Sequence, residues 1–175
     1  NSLTDNHQYG VYLYDDCDMS TIYNNSAINN SIGIYIHKIC DEVSIITNTV
    51  NNNNEYGIFI NETCKNILVL NNDVKANLQN GIGVNHSSTN NDIQENVITS
   101  NGYNGIVLNY QCSQNTIWNN NISNNNQNGI YIVQSCDNNF ISNNIINKNG
   151  QNGVLLSLLC DYSTILGNKI LNNSQ

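Results

Sequence analysis

The chain has 175 residues, of which 13 are acidic, five are lysine and none is arginine, giving a formal charge of −8. That balance argues against a nucleic-acid partner, because phosphate recognition draws on clustered Arg and Lys. No apolar run approaches the ~18 residues of a membrane-spanning helix, and 42 asparagines with no proline are far from ordinary globular composition.

Seven glycines set the period of the chain: Gly10, Gly33, Gly57, Gly81, Gly105, Gly129 and Gly153, 23 residues apart once and 24 apart thereafter. A period in this range marks stacked units, none of which can bury its apolar face alone. Asn1 and Leu3 occupy the tail of a preceding repeat. The first full repeat then runs Val11, Leu13, Cys17, Ile22, Asn25, Ala27, and the second runs Ile34, Ile36, Cys40, Ile45, Asn48, Val50. Ile58, Ile60, Cys64, Val69, Asn72 and Val74 make the third; Ile82, Val84, Ser88, Ile93, Asn96 and Ile98 make the fourth. The last three repeat the scheme, with Cys112, Cys136 and Cys160 at the thiol position and Asn120, Asn144 and Asn168 at the amide position. The final repeat stops at Gln175 without an amphipathic cap. An uncapped stack leaves strand edges unpaired, so the expectation is a segment of a longer chain or a unit that assembles end to end.

Aliphatic residues two apart after each glycine fit short strands, whose side chains alternate between faces. No window holds the i, i+3, i+4, i+7 spacing of an amphipathic helix. Three short strands per repeat, separated by turns, predict a triangular coil stacked on its neighbours. With strands about 4.8 Å apart, seven coils make a rod of roughly 34 Å. Asparagine suits the corners, since it tolerates turn geometry and bonds nearby backbone. An Asn at one fixed corner also bonds the Asn above and below, as in amide ladders. Proline would remove an N–H that the next coil needs. Prion-like disorder is the competing reading of an Asn-rich tract, and the unbroken phase of the isoleucines speaks against it.

The Asn-Gly-Ile-x-Ile segments, such as Asn80–Gly81–Ile82–Gly83–Val84 and Asn128–Gly129–Ile130–Tyr131–Ile132, with the later Asn120–Asn121–Ile122, resemble the parallel β-helix repeats of NosD-like proteins, archaeal surface proteins and the wider pectate-lyase-like superfamily. The resemblance implies an all-β, right-handed, single-stranded parallel β-helix of about seven coils, one domain over residues 1–175. It implies little about function, because that superfamily holds enzymes, binding scaffolds and structural proteins.

Cysteines sharing one offset stack with parallel Cβ vectors about 4.8 Å apart. Disulfides want about 3.5–4.5 Å and a dihedral near 90°. Free, buried thiols filling a corner are therefore the favoured reading. Two runs of three, Cys17–Cys40–Cys64 and Cys112–Cys136–Cys160, offer Cu(I) binding as the functional alternative, which the NosD resemblance suggests.

Acidic residues cluster early, at Asp15, Asp16 and Asp18, with Asp41 and Glu42 one coil later. Asp16, Asp18 and Asp41 are the candidates for an acid and base acting on a glycosidic bond, which needs carboxyls roughly 5–9.5 Å apart. Asp18, Asp41, Asp137 and Asp161 share one offset and are the Ca²⁺ candidates, while a solvated turn is the bland reading of the same column. His7, His37 and His86 share no offset.

Tyr12, Tyr35, Phe59 and Tyr131 fall in one outward row, interrupted by Gly83 and Val107, and Trp118 points outward elsewhere. So much exposed apolar surface fits a sugar platform, a packing face, or cross-coil stacking within the sheet. The sequons at Asn24, Asn29, Asn61, Asn85, Asn121 and Asn172 are what abundant Asn produces by accident. The leading expectation is a non-catalytic extracellular or cell-surface scaffold that self-associates or packs on neighbouring domains. A carbohydrate-binding or polysaccharide-degrading module comes second, and a copper-linked accessory protein third.

Overall fold

The computed structural model describes residues 1–175 as one parallel β-solenoid with 22 short strands in three sheets and no helix. Within each sheet every neighbour lies one repeat away and every pairing is parallel. The first sheet stacks Tyr9–Tyr14, Ile32–His37, Ile58–Asn61, Ile82–Asn85, Ile106–Asn109, Ile130–Val133 and Val154–Ser157. It has the longest strands and is termed the long sheet. The second sheet runs from Thr21–Tyr23 to Thr164–Leu166, and the third from Ser2–Thr4 to Lys169–Leu171.

Register explains why the repeat tolerates no drift. Ile58 pairs with Ile82, Ile82 with Ile106 and Ile106 with Ile130, so like stacks on like and a one-residue slip would turn every aliphatic outward. Away from the two end coils the resulting columns are fully buried, among them Ile34, Ile60, Ile93 and Ile117 at 0% exposure. Each such side chain contributes about 1.5–3 kcal/mol by leaving water.

The glycine ruler has a steric cause. A Cβ at Gly33 would sit 2.3 Å from Val50 Cγ1 across the coil and 2.7 Å from the carbonyl oxygen of Gly57 in the next. The strand entry is pressed against the third sheet, and only a residue without Cβ fits there.

The predicted ladder is present. Asn25 donates both its backbone N–H and its Nδ2 to Asn48 Oδ1, at 2.9 and 3.1 Å, and Asn48 repeats the pair toward Asn72 at 2.8 and 3.0 Å. The chain of amides continues through Asn96, Asn120, Asn144 and Asn168. The corner departs from the sequence expectation in one respect: its left-handed residue is the one before the ladder Asn. It is Asn24 in the first coil but Thr47 and Glu95 in others, all with φ of 55–58°. The ladder Asn is selected for its amide and not for its backbone.

A second full ladder, through Asn30, Asn53, Asn77, Asn101, Asn125, Asn149 and Asn173, runs along another corner. A shorter column of Asn91, Asn115 and Asn139 ends on Ser163. No helix is long and apolar enough to cross a membrane.

Candidate functional site

The six cysteines form the expected column of free thiols, buried except at its two ends, Cys17 and Cys160. Each thiol turns back on its own turn: Cys64 donates to the carbonyl of Asn61 at 3.2 Å, and Cys112 to that of Asn109 at 3.0 Å. The sulfur then accepts the N–H of the coil before it, as Cys136 does from Cys112 at 3.2 Å. Ser88 makes the same two bonds, donating to Asn85 O at 2.8 Å and accepting from Cys64 N–H at 3.2 Å. The column therefore works as a hydrogen-bonded corner. Burial pushes the Cys64 thiol up to about 12, and the neighbouring Cys136 thiol together with burial raises Cys112 as well.

The offset of Asp18 is also a turn position. Asp18 Oδ1 accepts the backbone N–H of Asp41 at 2.8 Å, and Asp137 Oδ1 accepts that of Asp161 at 2.8 Å. Asp41 in turn holds Asn66 Nδ2 at 2.7 Å and Lys65 Nζ at 3.3 Å. These two partners, Asn66 first, hold its carboxyl below the usual carboxylate range. Asp16 sits exposed in a left-handed turn, φ 63°. No three His, Cys, Asp or Glu side chains converge closely enough to share a metal ion.

The outer face of the long sheet is where the pattern breaks. Tyr12, Tyr35 and Phe59 stack in register, with ring centroids 5.2 and 5.1 Å apart. Expected as an open stripe, the stack is half covered: Tyr35 is only 8% exposed, because Tyr9 leans on it edge-on and His37 lies flat against it at 4.9 Å. Burial raises the Tyr35 phenol, with the Asn61 amide partly offsetting this. His37 bridges three coils through Tyr12 OH on Nδ1 at 3.0 Å and Glu62 on Nε2 at 3.2 Å. Its acidic partner is Glu62 of the following coil and not nearby Asp41. Asn61 joins Tyr35 to His86, which stacks on Tyr110.

Beyond Phe59 the row loses its rings at Gly83 and Val107, and a hollow of about 130 Å³ opens. Tyr56 and Phe59, stacked at 4.3 Å, wall it on one side, and Tyr103 and Tyr131 line it as well. A Cβ on Gly83 would lie 2.6 Å from Tyr56 Cε1, so the glycine is what lets that ring lie over the neighbouring coil. Asn109 also lines the hollow, and its buried Oδ1 accepts no hydrogen bond. Of the predicted surface residues, then, Phe59 and Tyr131 meet here, Tyr12 and Tyr35 extend the face, and Trp118 belongs to the second sheet, paired with Gln94 and Ser142.

Known proteins share this architecture. Residues 1–98 match the family described as right handed beta helix region, and residues 62–175 match the one described as periplasmic copper-binding protein (NosD). Among curated proteins no sequence relative matches. Similar solved structures include the periplasmic alginate epimerase AlgG, at TM-score 0.77 and 18% identity over 95% of this chain and 48% of that one. The A-module of the mannuronan C-5 epimerase AlgE6 from Azotobacter vinelandii superposes with TM-score 0.73 and 16% identity, over 99% of this chain and 58% of that one. The chain thus spans about half the length of these structures, and at such identity the likeness is one of fold.

Proposed function

Because the chain belongs to the right-handed β-helix family, and through residues 62–175 to the NosD family, we propose that it is a non-catalytic, exported scaffold that binds a glycan on the outer face of its long sheet. The observation that carries this reading is the hollow at Gly83: aromatic walls from Tyr56, Phe59, Tyr103 and Tyr131, with Asn80, Asn85, Asn104 and Asn109 among its lining. Sugar rings present flat C–H faces edged with hydroxyls, and a few convergent polar groups among aromatics are what orient such a ligand. At about 130 Å³ the hollow seats a single ring, below the ~300 Å³ of a typical small-molecule pocket. The rest of a chain would lie across the stacked face. Export is supported by the word periplasmic in both the family description and the name of the epimerase.

Catalysis is not part of the proposal, because no carboxylate or imidazole lines the hollow. Tyr12, His37 and Glu62, which carry titratable chemistry on this face, are engaged with one another on the first three coils. Nor does the copper of the family description find a fitting donor set in this chain. The thiols that would supply it are committed to backbone carbonyls, and at Cys40, Cys64, Cys112 and Cys160 burial opposes the thiolate that a soft metal requires.

The test is a polysaccharide panel, read by affinity electrophoresis and calorimetry, on the native chain and on Gly83→Tyr and Asn109→Ala. We expect binding to at least one glycan, abolished by filling the hollow and weakened by losing the amide. No binding across the panel, or equal binding by Gly83→Tyr, would overturn the reading. Lateral self-association is a second reading, favoured by Phe140 and Ile145, which remain 39% and 47% exposed on the other two sheets. Sedimentation that stays monomeric at high concentration would remove it.

A further inference from the structure

Resting on the glycan reading, we propose that the hollow selects an uncharged sugar residue and rejects the corresponding uronate. Its lining offers amides, phenols, aromatic rings and aliphatic carbon, with no cation among them. The chain holds five lysines and no arginine, and none is free to serve this face. Lys38, Lys65 and Lys75 are each committed to a carboxylate, Asp15 at 2.9 Å, Asp41 at 3.3 Å and Asp73 at 2.8 Å. Lys148 and Lys169 belong to the third sheet and the turn beside it.

Nor does the lining hold an ionised group of its own. Burial raises the Tyr56 phenol, with the Asn80 side chain partly offsetting this and Glu55 adding slightly to the rise. The phenol therefore presents a hydroxyl group at neutral pH. A uronate carboxylate seated here would give up water for a site without a counter-ion, within a protein of charge −8. Burying an unpaired charge is far costlier than burying a hydroxyl that finds an amide. A hydroxymethyl group meets no such obstacle, and the lining brings the amide-bearing residues Asn80, Asn85, Asn104 and Asn109 within its reach. This sets the chain apart in ligand charge from proteins of the same fold named for alginate, a polyuronate.

Matched oligosaccharides that differ only at C6 test the idea: manno- against mannurono-, gluco- against glucurono- and galacto- against galacturono-oligomers of equal length, in chelator-treated buffer at low salt. We expect the neutral member of the pair that binds to be held at least tenfold tighter. Val107→Lys, which places an ammonium in register with Gly83, is expected to narrow or invert that ratio, with Asn85→Lys as the alternative should the first fail to fold. Equal or tighter binding of the uronate by the native chain would overturn the selectivity and leave the glycan reading standing. Failure of every oligomer, neutral and acidic, would overturn the glycan reading and the selectivity with it.

Discussion

Replacing Asn96 by Ala removes five polar contacts at a stroke, three of them shared between the two amide hydrogens. The Asn96 amide donates to Val69 O at 2.9 Å, Gln94 O at 2.9 Å and Asn120 Oδ1 at 3.0 Å. It accepts from the Asn72 backbone N–H at 2.8 Å and from Asn72 Nδ2 at 3.0 Å. Some of that loss is softened. Asn120 Oδ1 keeps the Asn96 backbone N–H, and Asn72 Nδ2 keeps the carbonyls of Ile45 and Leu70. The Asn72 N–H has no second acceptor, and Asn72 is 2% exposed, so water does not repair it. An orphaned buried donor costs about 1–3 kcal/mol, and each net hydrogen bond adds about 0.5–1.5 kcal/mol. The expected destabilisation is therefore about 3–5 kcal/mol, at the high end for a single substitution. Urea unfolding followed by circular dichroism measures it, with Asn126→Ala, an exposed asparagine, as the control. A loss below about 1 kcal/mol, indistinguishable from the control, would refute the view that the ladder holds the coils together.

Gly57→Ala places a Cβ 2.5 Å from Val74 Cγ1 and 2.7 Å from the carbonyl of Gly81. The same denaturation assay should show a loss of about 1–3 kcal/mol from overpacking, less than additive with Val74→Ala because the two share one space. Cys64 supplies a pH test, since its folded-state value near 12 stands above the ordinary 9.0. The unfolded chain thus releases that proton first, and stability should be intact below pH 9 and decline as pH rises from about 9 to about 12. Cys64→Ser should remove that part of the alkaline decline, and a stability curve flat across the window in the native protein would contradict the assignment.

Columns were the legible part of this chain, and anything that joins two columns was not. The Ile and Asn25–Asn168 columns announce themselves because like must stack on like at a fixed offset. The Asn30–Asn173 column is equally regular in sequence, yet 42 asparagines hide one more ladder among many. Gly33 and its equivalents were legible as a ruler, while their cause was not, because the clash with Val50 runs across the coil. His37 and Glu62 lie one repeat plus one residue apart, and a scan for complementary charges at that separation would have paired them. The hollow was the least legible feature. Its floor is a visible break at Gly83 and two of its walls, Phe59 and Tyr131, stand in the outward row, but the other two come from Tyr56 and Tyr103, which lie in the approaches to neighbouring strands.

Why the break falls at this coil is explained by the position just before each ruler glycine. That column reads Tyr9, Ile32 and Tyr56 in the first three coils, then Asn80, Asn104, Asn128 and Asn152. The four asparagines form another ladder, and its sense is reversed. Asn104 donates back to Asn80 at 2.9 Å and Asn128 to Asn104 at 2.9 Å, whereas the Asn25 and Asn30 ladders donate forward. Stacked rings and amide ladders are both compatible with a strand spacing of about 4.8 Å, so either can run indefinitely along a solenoid. They meet badly at one step: the Asn80 side chain finds the Tyr56 phenol in place of another amide, and it is too narrow to cover the width that Tyr56 and Phe59 set. The mismatch leaves volume at one coil boundary, bordered by aromatic carbon on one side and amides on the other. A rigid stack with two packing schemes thus creates a concave, uncharged, mixed-polarity site wherever the schemes meet, and in this chain they meet once on the long sheet, at Gly83.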